Sequence, residues 1–318
     1  MNFWLNFYQH LPERINPMTF HVGSFRIGWY SLMYIAAFLT VYLLLLYRIK
    51  NKEFPKNLQP TTYNLQAVVE EFIFYSFLGV LIGGRLGYVL FYNFPYYWND
   101  PMAIINPFDA AGKLIGIYGM SYHGGLIGVI LATWYFVRKN KLNFWSWADF
   151  VVPAIPAGFF FGRIGNFLNG ELYGRITAKP WGMYFWNADP RSLQLRHPSQ
   201  LYEAVLEGLV LFIILWALRN KKQKKCHPEL VEGSNSGKSR FLDFAKTSLG
   251  MTKEGGLLVF YIFLYGFFRI FVEFFREPDP QIGFILKYFT LGQIFSAGMV
   301  MAAIIMAIYQ KSEKRYNT

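Results

Sequence analysis

The stretch from Gly162 to Gly174 reads Gly-Arg-Ile-Gly-Asn-Phe-Leu-Asn-Gly-Glu-Leu-Tyr-Gly and closes an apolar run that begins near Trp145. Arg163 and Asn166 stand three residues apart, so on a continuing helix they share a face. A guanidinium fork beside amide donors suits a phosphate, and burial at a lipid boundary strengthens that contact. A lone arginine at a helix end would instead snorkel toward the headgroups. The density of polar groups around Arg163 favours a binding site. Gly165 and Gly170 let the backbone approach a bound group closely or turn sharply after it.

Other ionisable residues fall inside apolar runs, where a charge at the bilayer centre costs at least ~2.5 kcal/mol and marks a functional candidate. Arg269 and Glu273 lie one helical turn apart, and Tyr265 precedes Arg269 by four residues on the same face. Their pairing serves equally to hold two helices together or to leave the arginine shared with a second anion. Glu203 and Glu207 form another one-turn pair, read as helix-positioning residues. Arg85, flanked by Gly83, Gly84 and Gly87, reads as a packing site.

His123 lies in Gly-Met-Ser-Tyr-His-Gly-Gly-Leu-Ile-Gly, where glycines admit something close beside it. With an unperturbed pKa near ~6.5 it fits a proton acceptor. It fits an interhelical hydrogen-bonder equally well. His197, before Pro198, orders the start of the fifth apolar run, and His10 and His21 are uninformative. No His/Glu spacing matches a metal site such as H-E-x-x-H, so neither metal nor cofactor is expected. The single cysteine, Cys226, sits in a polar basic segment, which disfavours a disulfide framework and a catalytic thiol.

The elements that must hold these groups follow from composition. The chain is 54% hydrophobic, 20% aromatic and only 16% charged over 318 residues, and a transmembrane helix needs roughly 20 mainly apolar residues. Seven such runs are expected: Gly28 to Tyr47, Val68 to Tyr92, Tyr118 to Val137, Trp145 to Leu168, Leu201 to Leu218, Gly255 to Phe275 and Phe289 to Tyr309. The net charge of +12 is not a nucleic-acid signature, because the lysines cluster just after apolar segments. Loops after the first, third and fifth runs, with the tail, carry the larger share of Lys and Arg. The positive-inside rule then puts the amino terminus outside and the carboxy terminus in the cytoplasm.

The fold class is therefore an all-α polytopic membrane protein, a single domain over residues 1–318. Residues 171–197 form a small extracytoplasmic cap between helices four and five. Residues 220–253, basic and then Ser/Gly/Asn-rich, read as a disordered cytoplasmic loop. The aromatic-rich start (Phe3, Trp4, Phe7, Tyr8) suits an arm lying at the interface. With no basic n-region and no small-residue cleavage site there, the first apolar helix is expected to remain as an anchor.

Four segments in order carry a resemblance: 121–128, 162–174, Arg-His-Pro-Ser-Gln-Leu-Tyr-Glu at 196–203, and Phe-Arg-Ile-Phe-Val-Glu-Phe-Phe-Arg-Glu-Pro-Asp at 268–279. With them the chain resembles the prolipoprotein diacylglyceryl transferase family of bacterial inner membranes. A first-span pattern that is commonly His-Trp-Tyr-Gly in that family stands here as Gly-Trp-Tyr-Ser at Gly28 to Ser31, which keeps Tyr30.

The resemblance implies transfer of a diacylglyceryl group from phosphatidylglycerol to the lipobox cysteine of a prolipoprotein signal peptide, at the outer leaflet. It implies that Arg163 and Asn166 bind the headgroup, with Glu171 and Gly174 shaping that site. Arg269 would stabilise the leaving phosphate, with Glu273 and Tyr265 orienting it. His123 would be the base, or the group that positions it, with Tyr30 or an arginine-polarised water as the alternative, and Tyr30 would also help bind the lipid. The competing classes are a flippase for an anionic lipid, for which no internal repeat is found, and an intramembrane hydrolase, for which there is no Gly-x-Ser-x-Gly.

Overall fold

The computed structural model describes residues 3–22, 25–55, 64–108, 112, 119–188, 194–219, 254–278, 283–285 and 288–316. The expected loop at 220–253 and the start of the third run at Tyr118 lie outside them. Eight helices organise the described chain: α1 (Phe3–Gln9), α2 (Trp29–Lys50), α3 (Leu65–Phe91), α4 (Tyr122–Lys139), α5 (Phe144–Leu168), α6 (Ser199–Leu218), α7 (Gly256–Glu273) and α8 (Leu291–Tyr316). Six of them, α2, α3, α5, α6, α7 and α8, are long and apolar enough to cross a membrane. The 18-residue α4 is not among the six. Among the described residues strand structure is confined to two two-stranded ribbons and a few isolated bridges.

The chain forms two compact units. The first comprises residues Met1–Phe20, Ile27–Leu44 and Ala148–Thr318, and the second His21–Arg26 and Leu45–Trp147. In the second unit α3 and α4 pack through glycines. A Cβ on Gly83 would stand 2.4 Å from the Gly124 carbonyl oxygen, so side chains there would force the helices apart. Phe72, Phe136 and Trp147 fill the other end with ring centroids 5.0 to 5.4 Å apart. Arg85 has the packing role expected of it. Its guanidinium donates to the carbonyl oxygens of Ile104, Ala103 and Gly119 and lies over the Tyr97 ring.

In the first unit α5 is the most enclosed span, with 61% of its apolar window buried against 17% for α8. Ile304, Ile305 and Ile308 of α8 are exposed, which suits a lipid-facing surface rather than water. One cluster of Val152, Leu211, Leu215, Leu218, Leu257 and Phe260 packs α5, α6 and α7 together. Beside it Asp149, buried, accepts backbone N–H bonds from Gly255 at 2.9 Å, Leu257 at 2.9 Å and Leu258 at 3.1 Å. It thereby caps α7 from another helix, satisfying donors that a helix start leaves orphaned.

The opposite ends of α5 and α6 are joined by a segment with its own core of Phe167, Met183, Phe185 and Ala188, against which Tyr8 and Leu11 pack. Its backbone is held by bridges between Gly174 and Arg276, Ile176 and Arg196, and Met183 and Arg196. The tyrosine hydroxyl of Tyr8 donates to the Trp181 carbonyl, and Gln9 Nε2 to that of Pro180.

Candidate active site

The centre of the first unit is a charged cluster built from three spans. Arg163 comes from the last turns of α5, Glu203 and Glu207 from the first half of α6, and Arg269 and Glu273 from the end of α7. One oxygen of Glu203 takes both guanidiniums: Oε2 lies 2.7 Å from Arg163 Nε and 3.1 Å from Arg269 Nη1. Arg269 Nη2 reaches Glu273 Oε2 at 3.0 Å, the i,i+4 pair expected on one helix face. Arg269 Nη1 also faces Glu207 Oε1 at 3.8 Å. Glu203 and Glu207 are fully enclosed, and both arginine side chains are only about a tenth exposed. Such charges are retained in a low-dielectric interior only as partners, and each removed partner leaves an uncompensated ion.

Local sequence explains each placement. Arg163 Nη1 donates to Asn166 Oδ1 at 3.2 Å, as the three-residue spacing requires, and Asn166 Nδ2 donates to Glu171 Oε1 at 2.9 Å. Glu171 is held in turn by α6: Gln200 Nε2 donates to its carbonyl at 2.6 Å, while Ser199 Oγ donates to the Leu172 carbonyl at 2.9 Å. Leu172 sits at φ 58°, left-handed backbone that a branched side chain adopts only when its surroundings over-determine it. Ser199 and Gln200 at the start of α6 thus fix the turn after α5. Phe159 carries the Arg163 guanidinium 4.7 Å above its ring and meets Tyr265 edge-on at 5.8 Å.

Gly174 does not enter the charged cluster; it sets the backbone around it. Its N–H donates to the His197 carbonyl at 2.8 Å, and a Cβ there would lie 2.4 Å from the Phe275 carbonyl oxygen. Any side chain would push this strand off the end of α7. Tyr30 lies with its ring against Gly165, 3.4 Å from where a Cβ would stand, and its hydroxyl is 3.2 Å from that of Tyr34. Glu273 is closed over by α8, since a Cβ on Gly292 would meet its carboxylate at 2.6 Å.

His123 belongs to the second unit. It occupies the first turn of α4, exposed, with its ring edge-on to Tyr122 at 5.7 Å. His197 has the local role expected of it: Nδ1 is 3.0 Å from the Tyr202 hydroxyl, and burial, with Lys179 near, lowers its pKa below the usual histidine value. Among the described residues no group of His, Cys, Asp and Glu is arranged to hold a metal.

Glu203 and Glu207, read from the sequence as helix-positioning residues, do bridge helices, and they do so inside the charged cluster. Glu203 is the hub on which both arginines converge, and Glu207 faces the same guanidinium. The signal was present as two carboxylates one turn apart in an apolar span. What it lacked was any local mark of partners on α5 and α7. Residues Ala204–Val210 add a feature that apolar periodicity does not reveal, a π-helical stretch that carries Glu207; such insertions recur at functional sites.

Fold and cluster together define a polytopic helical membrane protein with paired guanidiniums held among carboxylates at the buried ends of three spans. The family model described as prolipoprotein diacylglyceryl transferase matches residues 17–233 and 240–309, and the chain belongs to that family. Three relatives, each named phosphatidylglycerol–prolipoprotein diacylglyceryl transferase, are similar over nearly their whole length. The protein of Chlorobaculum tepidum is 42% identical over 96% of this chain and 93% of its own. That of Desulfotalea psychrophila is 40% identical over 98% of both. That of Rickettsia conorii is 44% identical over 90% of this chain and 93% of its own.

Proposed function

We propose that this chain transfers the diacylglyceryl group of phosphatidylglycerol to the thiol of a lipobox cysteine, releasing glycerol-1-phosphate. The observation that carries the reading is the convergence of Arg163 and Arg269 on one oxygen of Glu203, at 2.7 and 3.1 Å. Two guanidiniums that reach one oxygen also reach one phosphate. Each has five N–H donors in a fixed fork, and the contacts described use only some of them.

The reaction balances without a cofactor. The sulfur attacks the primary glycerol carbon of the lipid, the carbon–oxygen bond breaks, and its electron pair stays on the phosphate. The thiol proton passes to a base and ends on the monoester or in solvent. The leaving phosphate gains charge as the bond breaks, and guanidiniums already fixed in a dry site favour that state over the bound diester. Arg163 with Asn166 holds the headgroup, Glu171 orients Asn166, and Gly174 keeps the surrounding backbone in register. Arg269 stabilises the departing oxygen, with Glu273 and Tyr265 orienting it. His123 takes the proton, or positions the group that does, with Tyr30 as the alternative.

Seven spans are assigned, α4 serving as the third, with the amino terminus outside. The Arg163 end of α5, the segment 171–197 and the site then face the outer leaflet of a bacterial cytoplasmic membrane. The lysines after α4 and α6 and in the tail support this orientation. Both substrates, the lipid and the hydrophobic signal peptide, reach such a site laterally from the bilayer.

The test is incubation of the purified protein with labelled phosphatidylglycerol and a lipobox peptide. Covalent lipid on the peptide is expected. Glycerol-1-phosphate released without peptide would make the protein a hydrolase, and neither product would point to lipid transport. A reporter fused next to Gly170 and found in the cytosol would contradict the orientation.

A further inference from the structure

Glu207 has no part in the chemistry above, yet it is 1% exposed in the middle of a membrane span. Neither of its oxygens receives a hydrogen bond from a described protein group, and Arg269 Nη1 stands 3.8 Å from Oε1. Glu203 repeats the pattern on one side. Its Oε2 lies within ion-pair distance of both arginines, Oε1 has no such neighbour, and neither oxygen receives a well-directed hydrogen bond among the described residues. Each carboxylate offers about four acceptor sites. Burying one without donors is unfavourable, and donors from a ligand would relieve that cost.

A phosphate cannot supply them, because it is itself an anion that accepts. The complementary molecule carries an anion for the guanidiniums and hydroxyl donors a few bonds away for the carboxylates. A phosphoglycerol headgroup has that pattern, with two hydroxyls beyond its phosphate. Glu207 follows Glu203 by four residues, within the π-helical stretch Ala204–Val210, and both carboxylates face Arg269 Nη1, so the three groups border one place. Gly208, the next residue, lets α6 press against α5, since a Cβ there would lie 2.8 Å from Phe160 Cβ.

We propose that Glu207, with the second oxygen of Glu203, accepts hydrogen bonds from the hydroxyls of the lipid's terminal glycerol and thereby selects a hydroxylated headgroup. The inference rests on the transferase reading and names a specificity-determining residue for it. Hydroxyl recognition by a buried acceptor discriminates strongly, because a ligand lacking the hydroxyl leaves the acceptor unpaired.

The experiment compares transfer to a lipobox peptide from phosphatidylglycerol and from phosphatidylpropanol of the same acyl composition, in mixed micelles. The wild type is expected to prefer phosphatidylglycerol by about tenfold or more in kcat/KM. Glu207→Gln is expected to remove most of that preference by slowing phosphatidylglycerol far more than phosphatidylpropanol. The ratio is taken within one preparation, so the folded fraction cancels. If the glutamine variant does not fold, Glu207→Asp, which draws the carboxylate back, is expected to narrow the ratio in its place. A wild type that uses both lipids equally overturns the proposal and leaves the transferase reading standing. So does a variant in which both rates fall together, as a structural role would produce. Transfer from neither lipid by the wild type overturns the transferase reading, and this inference with it.

Discussion

Arg163 Nε and Glu203 Oε2 meet at 2.7 Å, joining the last turns of α5 to the first turn of α6 through a carboxylate with no solvent exposure. The same oxygen holds Arg269, so three helices are tied at one atom. Preorganisation of this kind is what a phosphate site needs, because the guanidiniums do not have to be gathered when the substrate arrives.

Glu203→Gln keeps the shape and removes the charge. Two buried arginines then lose their shared partner, and the expected cost is about 3 kcal/mol of stability. Thermal unfolding in detergent measures it. Transfer should fall with it, because both forks lose the group that aims them.

Asp149 accepts three backbone N–H groups at the start of α7. Asp149→Ala orphans those donors in a buried place, at an expected cost of about 2 kcal/mol. Arg269 lies roughly three turns further along α7, so activity per folded molecule should stay near wild type. Unfolding midpoints, together with rates normalised to folded protein, separate the two effects.

How much of this was legible beforehand differs residue by residue. Apolar run length marks the spans: the expected runs from Trp145, Leu201 and Gly255 correspond to α5, α6 and α7 within about two residues at either end. Short-range spacing was equally informative. The Arg163–Asn166 hydrogen bond and the Arg269–Glu273 pair follow from separations of three and four on a helix. Contacts between helices were not legible. Asp149 caps a helix start more than a hundred residues later, and Glu203 meets arginines on two other helices. Neither partner is marked by any local pattern, because packing geometry alone decides which buried acid meets which buried base. The π-helical register of Ala204–Val210 escapes for a related reason, since apolar residues lie on all sides of a membrane span and give no period to count.

His197 supplies a pH dependence. Its pKa in the folded protein is lowered by burial and by Lys179, so between that value and the ordinary ~6.5 the unfolded chain binds more protons. Stability from this group is therefore present above about pH 6.5 and lost as pH falls through the folded value. Unfolding midpoints measured from neutral to mildly acidic pH should decline, and His197→Gln should lessen the decline. Because the ring is only partly enclosed, the effect is expected to be small.

The most direct measurement is the initial rate of labelled lipid transfer to a lipobox peptide by the wild type, Arg163→Lys and Arg269→Lys. Lysine keeps the charge and loses the fork. If both guanidiniums hold the phosphate of phosphatidylglycerol, the wild type labels the peptide, and each variant falls about a hundredfold while remaining folded. Wild-type rates in either lysine variant would contradict the account.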